Sequence, residues 1–104
     1  MIVRTWHGRT KKEHGDAYRE FVIKTGITDY QSVKGNLGTQ IWQRAEGDVM
    51  HIYTVSWWDS YESIKLFAGE DFDKAKYYEE DKDFLLEFEP YVTHYECYTF
   101  EKVN

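Results

Sequence analysis

Four stretches of the chain are dense in β-branched and aromatic residues, and the segments between them follow helical or turn patterns. Met1 to Gly8 reads as a strand, since Ile2, Val3, Thr5 and Trp6 suit a pleated, half-buried surface. The polar run RTKKEHGD follows, with Asp16 as a helix N-cap. In AYREFVIKTG, the residues Ala17, Tyr18, Phe21, Val22 and Thr25 share one helical face; Gly26 ends that helix, and ITDYQSV forms a short second piece. KGNLG is turn chemistry, Gly38 to Arg44 reads as strand two, AEGD as a hairpin turn, and Val49 to Trp57 as strand three.

Asp59 with Glu62 three residues on forms a capping-box pattern for a helix through Ile64, Phe67 and Ala68, stopped by Gly69. Further helical turns are predicted over Phe72 to Tyr78 and Lys82 to Phe88, with Asp81 as a cap and Pro90 as the stop. Tyr91 to Glu101 is the last strand. The order is β-α-β-β-α-β over a single domain, 1–104. It predicts an α+β, ferredoxin-like sandwich whose four-stranded antiparallel sheet runs 4-1-3-2 with helices on one face.

A sheet covered on one side alternates apolar and polar residues, and these strands do not alternate cleanly. In strand three, Val49, Tyr53, Val55 and Trp57 oppose Met50, Ile52 and Trp58; in strand four, Val92, Tyr98 and Phe100 oppose Tyr91, Tyr95 and Cys97. Several hundred Å² of apolar surface on the second face is more than soluble monomers tolerate. A homodimer with the two sheets facing each other is the expectation.

Composition narrows the partners. The aromatic share is 18% of 104 residues, with Trp 4, Tyr 9 and Phe 6, and such half-polar rings suit cavity walls and interfaces as well as cores. A net charge of −6 repels phosphate backbones, so nucleic acid is not an expected partner. One cysteine, Cys97, forbids an internal disulfide. No run approaches a membrane span and MIVRTWHGRT lacks the apolar stretch of a signal peptide; no membrane partner is expected, and the expected setting is cytoplasmic.

MIVRTWHGRT, TGITDYQSVKGNLG, SWWDSYESIKLFAGEDFDKAKYY and EPYVTHYE together resemble the antibiotic biosynthesis monooxygenase-like domains, in a branch whose members mostly have no assigned reaction. The resemblance runs from Ile2 to about Tyr98 and implies a dimeric α+β barrel. It implies a small cofactor-independent monooxygenase acting on an aromatic, quinol or polyketide-like compound in a pocket between sheet and helices, so no cofactor is expected. The alternative is a non-catalytic ligand-binding or stress-associated dimer. Haem-degrading relatives do not fit: Phe67 falls near their tryptophan, Lys76 near their haem-ligating histidine, and His7 or Gly8 near their first-strand asparagine.

Cofactor-free oxygenation needs an apolar cavity and a base or hydrogen-bond acceptor. The candidate catalytic residues are His7, His51 and His94, and the candidate substrate-binding residues are Arg4, Trp6, Trp42, Tyr53 and Phe67. In the 4-1-3-2 order the three histidines lie on neighbouring strands and are expected near one end of the sheet, with Glu96 close by. Such a set could bind a divalent metal, supply a base near neutral pH, or be structural. Parity decides, because a one-residue register change sends any of them to the opposite face. An inward Arg4 demands a partner, and Glu96 is the obvious one. GNLG lacks the GK[ST] of a phosphate loop, and Glu79, Glu80, Asp81 and Asp83 lack calcium-loop spacing and read as a solvated segment.

Overall fold

The computed structural model describes residues 1–102. The elements are β1 (Ile2–Lys11), α1 (Gly15–Val22), α2 (Thr28–Gln31), β2 (Asn36–Glu46), β3 (Val49–Trp58), α3 (Tyr61–Ala68) and β4 (Thr93–Glu96). They form a ferredoxin-like α+β fold with one four-stranded antiparallel sheet in the order β2-β3-β1-β4, which is 4-1-3-2 read from the other edge. β2 and β3 turn at Gly47, whose φ of 58° lies in the left-handed region that glycine occupies without strain.

Register fixes the faces. Trp6 stands opposite Thr54, Gly8 opposite Ile52 and Arg4 opposite Ser56, and this side meets the helices. The helix-side core has two clusters: Trp6, Tyr18, Val22, Ile52, Leu85 and Val92 in one, Tyr30, Trp58 and Ile64 in the other. Burying such aromatic and aliphatic side chains stabilises the fold by roughly 1.5–3 kcal/mol each. Gly8 is required by this packing, because a Cβ there would penetrate the Trp6 indole that lies across it.

Four local expectations give way. The first helix does not stop at Gly26: the chain runs on through a π-helical turn at Ile23–Ile27 into α2. The cap of α3 is Ser60, whose Oγ accepts the Ser63 N–H at 3.2 Å, while Asp59 Oδ1 accepts the Ser63 hydroxyl at 2.6 Å and Glu62 pairs with Lys65 instead. The helical turns expected over Phe72 to Tyr78 and Lys82 to Phe88 are replaced by irregular chain with one 3-10 turn, Glu79–Asp83. The backbone there is used elsewhere. Leu86 N donates to Arg9 O at 2.9 Å, Val92 N to Asp73 O at 2.8 Å and Ala75 N to Pro90 O at 2.9 Å. Strand four is shorter than Tyr91 to Glu101: at its far end its partner β1 runs out, Cys97 N donating to Met1 O at 2.9 Å as the last rung, and at its start Val92 N is taken by Asp73 O instead of β1.

Candidate functional site

The gap between the two core clusters is a chamber of about 40 Å³, floored by Trp6 and Thr54 of the sheet. Its walls come from α1 (Tyr18, Val22), the π-helical turn (Thr25, Gly26), Tyr30 of α2, and the segment Lys76, Tyr77, Tyr78 and Asp81. The π turn matters here. Its widened coil leaves Thr25 Oγ1 on Phe21 O at 2.8 Å and Thr28 Oγ1 on Ile23 O at 3.0 Å, and sets Thr25 and Gly26 at the lining. π turns inside helices recur at functional sites.

Polar groups in the chamber are few and ordered. Asp81 is 3% exposed and accepts the Tyr18 hydroxyl at 2.8 Å and the Tyr78 N–H at 2.6 Å. Trp6 Nε1 donates to the Tyr77 hydroxyl at 3.2 Å, which donates to Glu89 O at 2.6 Å. The Tyr78 hydroxyl donates to Asp29. Burial, reinforced by the Asp81 charge, pushes the Tyr18 phenol far up; burial and the bond to Asp29 do the same for Tyr78, and burial raises Tyr77. These phenols are held protonated, as hydrogen-bond donors, and Asp81 is the carboxylate among the lining residues.

The sequence-predicted residues divide between the two sides of the sheet. Trp6 lines the chamber; Phe67 packs behind it against Tyr30, ring centroids 4.5 Å apart; Arg4 lies one rung below Trp6. Trp42 and Tyr53 stand on the opposite face, where they line an open groove of about 500 Å³ with Val3, Thr5, Val55 and Tyr95. A single pocket touching all five is excluded.

The three histidines do not cluster. His7 and His51 do meet on the open face: His7 Nε2 lies 2.9 Å from His51 Nδ1, His7 Nδ1 2.5 Å from Glu89 Oε2, and His51 Nε2 3.1 Å from Glu46 Oε1. His94 points the other way. β4 pairs only with Ile2 to Thr5, so His94 sits opposite Arg4 on the helix side, its Nδ1 3.2 Å from Asp73 and its Nε2 3.1 Å from Arg4 Nη1. Burial, and then the Arg4 charge, hold its imidazole below the ordinary value against the pull of Asp73. Among the described residues no group of three or more His, Cys, Asp or Glu side chains is placed to hold a metal ion.

Arg4 does point inward, but Glu96 is not its partner. The guanidinium donates to Phe72 O at 2.5 Å and to Lys74 O at 3.4 Å, while Glu96 accepts the Tyr98 hydroxyl. The acidic segment is likewise corrected at one position: Glu79, Glu80 and Asp83 are exposed, whereas Asp81 is buried in the chamber wall. Tyr18, Tyr30, Tyr77, Tyr78 and Lys76 went unmarked as site residues in the sequence. Only Tyr18 carried a signal, as part of the apolar face of the first helix.

No helix among the described residues is long and apolar enough to cross a membrane. No family model and no curated protein matches the chain. Among solved structures it is similar to that of Rv0793 from Mycobacterium tuberculosis, with a TM-score of 0.56 and 11% identity, covering 98% of this chain and 100% of that chain. At that identity the likeness is one of fold alone.

Proposed function

We propose that this chain is an antibiotic biosynthesis monooxygenase-like protein that works as a homodimer and takes a small phenolic or quinol-type compound between its sheet and its helices. The carrying observation is the ring-walled chamber of Trp6, Tyr18, Tyr30, Tyr77 and Tyr78, which interrupts an otherwise packed core at a π-helical turn. Chambers that hold drug-sized ligands run to roughly 300 Å³ or more. Seating such a compound therefore requires outward movement of a wall. The segment bearing Lys76 to Tyr78 is the wall without helix or strand, tied by a few backbone bonds such as Ala75 N to Pro90 O.

The chemistry rests on the chamber rather than on the histidines, which lie outside it. An electron-rich ring in the chamber loses a proton to Asp81, with the Tyr30 and Thr54 hydroxyls, only loosely paired with each other at 3.5 Å, as donors to the resulting oxyanion. The anion donates an electron to O₂, the radicals combine, and the peroxide formed loses water. In an anthrone-type substrate, a CH₂ group and O₂ become C=O and H₂O: carbon is oxidised by four electrons and dioxygen is reduced by four.

Incubation with anthrone and with a naphthohydroquinone, with O₂ uptake followed at an electrode in metal-free buffer, tests the reading. For anthrone, uptake of one O₂ per carbonyl formed, above the spontaneous rate and lost in Asp81→Asn, is expected. Absence of both O₂ uptake and binding, for both compounds, would overturn it. A second, non-catalytic reading is favoured by one observation: each of the three strand histidines is already held by side-chain partners. Under that reading the same compounds bind without O₂ uptake.

A further inference from the structure

The most unusual charge in the molecule is Arg4. It is 1% exposed, and among the described residues no carboxylate reaches it and its Nε has no hydrogen-bond partner. Its contacts are two backbone carbonyls, a neutral-leaning imidazole and the ring of Phe67, whose centroid lies 5.6 Å from the guanidinium carbon. Asp73 is reached only through His94. A buried cation without an anion is costly, and carbonyl dipoles with an aromatic face compensate it only in part.

A second cation comes to the same ring. Lys76 Nζ lies 4.7 Å from the Phe67 centroid, and Lys76 also lines the chamber. Trp6, on the chamber floor, is the next residue of β1 on Arg4's face, and Thr54 and Ser56 continue the same two rungs on β3. Lys76 thus makes one end of the ring-walled chamber positive, and Arg4, which does not itself line the chamber, stands at the same Phe67 ring next to that end without a carboxylate partner among the described residues.

We infer that the chamber takes an acidic aromatic compound, one bearing a carboxylate, with that group drawn to the Arg4–Lys76 end and the ring among Trp6, Tyr18 and Tyr77. This rests on the chamber being a ligand site, as proposed above, and adds the chemical class. Arg4 also pins the irregular segment through Phe72 O and Lys74 O, a structural role that by itself confers no preference among ligands.

A matched pair of probes separates the two roles. 1-Naphthol and 1-hydroxy-2-naphthoate share ring and hydroxyl and differ by the carboxylate, and their affinities for the intact protein are read by titration calorimetry. The carboxylate should bind about tenfold or more tighter, as a charge-assisted contact commands, and the preference should shrink at least about threefold in Lys76→Gln, which alters an exposed side chain. Arg4→Gln should abolish the preference if it folds; if it does not, Lys76→Gln decides. Equal affinities in the wild-type chain, or an unchanged preference in Lys76→Gln, overturn the acidic class and leave the chamber as a ligand site. Binding of neither probe overturns the chamber reading, and this inference with it.

Discussion

His7 and His51 face each other across neighbouring strands with Nε2 and Nδ1 2.9 Å apart and their rings stacked, and a carboxylate closes each end of the pair. Counting donors shows what the row needs. Glu89 and Glu46 each accept one N–H, and the link between the rings needs one more, so three of the four ring nitrogens carry hydrogen when every contact is made.

The pair should therefore behave as a unit in unfolding experiments. His7→Gln and His51→Gln are each expected to destabilise the fold, and the double variant by less than their sum, with a coupling of about 0.5–1.5 kcal/mol. Urea unfolding of the four proteins measures it. Additive losses would mean that the two rings do not share a hydrogen bond.

His94 gives the stability a separate pH dependence. Burial and the nearby Arg4 lower its proton affinity in the folded chain, so near and below its ordinary value of 6.5 the unfolded state binds more protons. The contribution is complete above pH 6.5 and is lost as pH falls through the depressed folded value. Glu46, Glu87 and Asp59 are also lowered, by hydrogen bonds from His51, Arg9 and Ser63, but as carboxylates they act at lower pH. Denaturant midpoints across pH 5 to 8 should fall on the acid side, and His94→Gln should flatten that part of the profile. An unchanged profile in the variant would assign the slope elsewhere.

Much of this arrangement was legible in the sequence, and the failures have physical causes. The strand pattern divided β3 into its two faces as read, with Met50, Ile52 and Trp58 on one side; the sequence did not say which side meets the helices, and the structure sets this one against them. The order of strands followed from the β-α-β-β-α-β succession. His94 was misplaced because nothing local records that β4 pairs only with Ile2 to Thr5. The helical spacing around Phe72 and Phe84 was real but overridden, since Leu85 and Leu86 bridge the free edge of β1 at Thr10 and Arg9. Asp81 looked like one more solvent-facing acid. Its burial depends on the Tyr18 hydroxyl, 63 positions away in sequence, a relation no periodicity carries.

That relation can be measured. Tyr18→Phe keeps the ring and removes the donor, leaving Asp81 with the Tyr78 N–H alone inside the protein. A loss of about 1–3 kcal/mol is expected from a buried acceptor deprived of a partner. Thermal unfolding reads it, at roughly 4–8 °C per kcal/mol for a domain of this size. A shift under about 2 °C would mean that water replaces the hydroxyl without loss.

Gly8 tests the floor of the chamber. A Cβ at this position overlaps the six-membered ring of the Trp6 indole and presses on Leu85, so Gly8→Ala must displace a side chain that lines the chamber. Overpacking of this kind costs about 1–3 kcal/mol. The variant should melt lower and show altered tryptophan emission, and its affinity for 1-hydroxy-2-naphthoate should change, whereas Thr5→Ala, on the open face, should leave that affinity unaltered. Gly8→Ala with wild-type emission and melting would place the indole elsewhere.

The open face of the sheet bears on assembly. Trp42, Tyr95 and Tyr98 are 53%, 54% and 75% exposed, and they surround a groove whose floor is Val3, Val55 and Tyr53. Apolar surface of this extent on a sheet is what pairing of two copies would cover, at roughly 25 cal/mol per Å² before the entropy of association. The wild-type chain should scatter light as twice its 12.5 kDa mass at micromolar concentration. Trp42→Glu, which places a charge at the rim without touching the helix-side core, should shift the equilibrium to the single chain. Because the chamber lies on the other side of the sheet, the same variant should still bind the probe compounds as a monomer. A wild-type protein of 12.5 kDa at these concentrations would refute the dimer, and a variant that loses both pairing and folding would show that the two are inseparable.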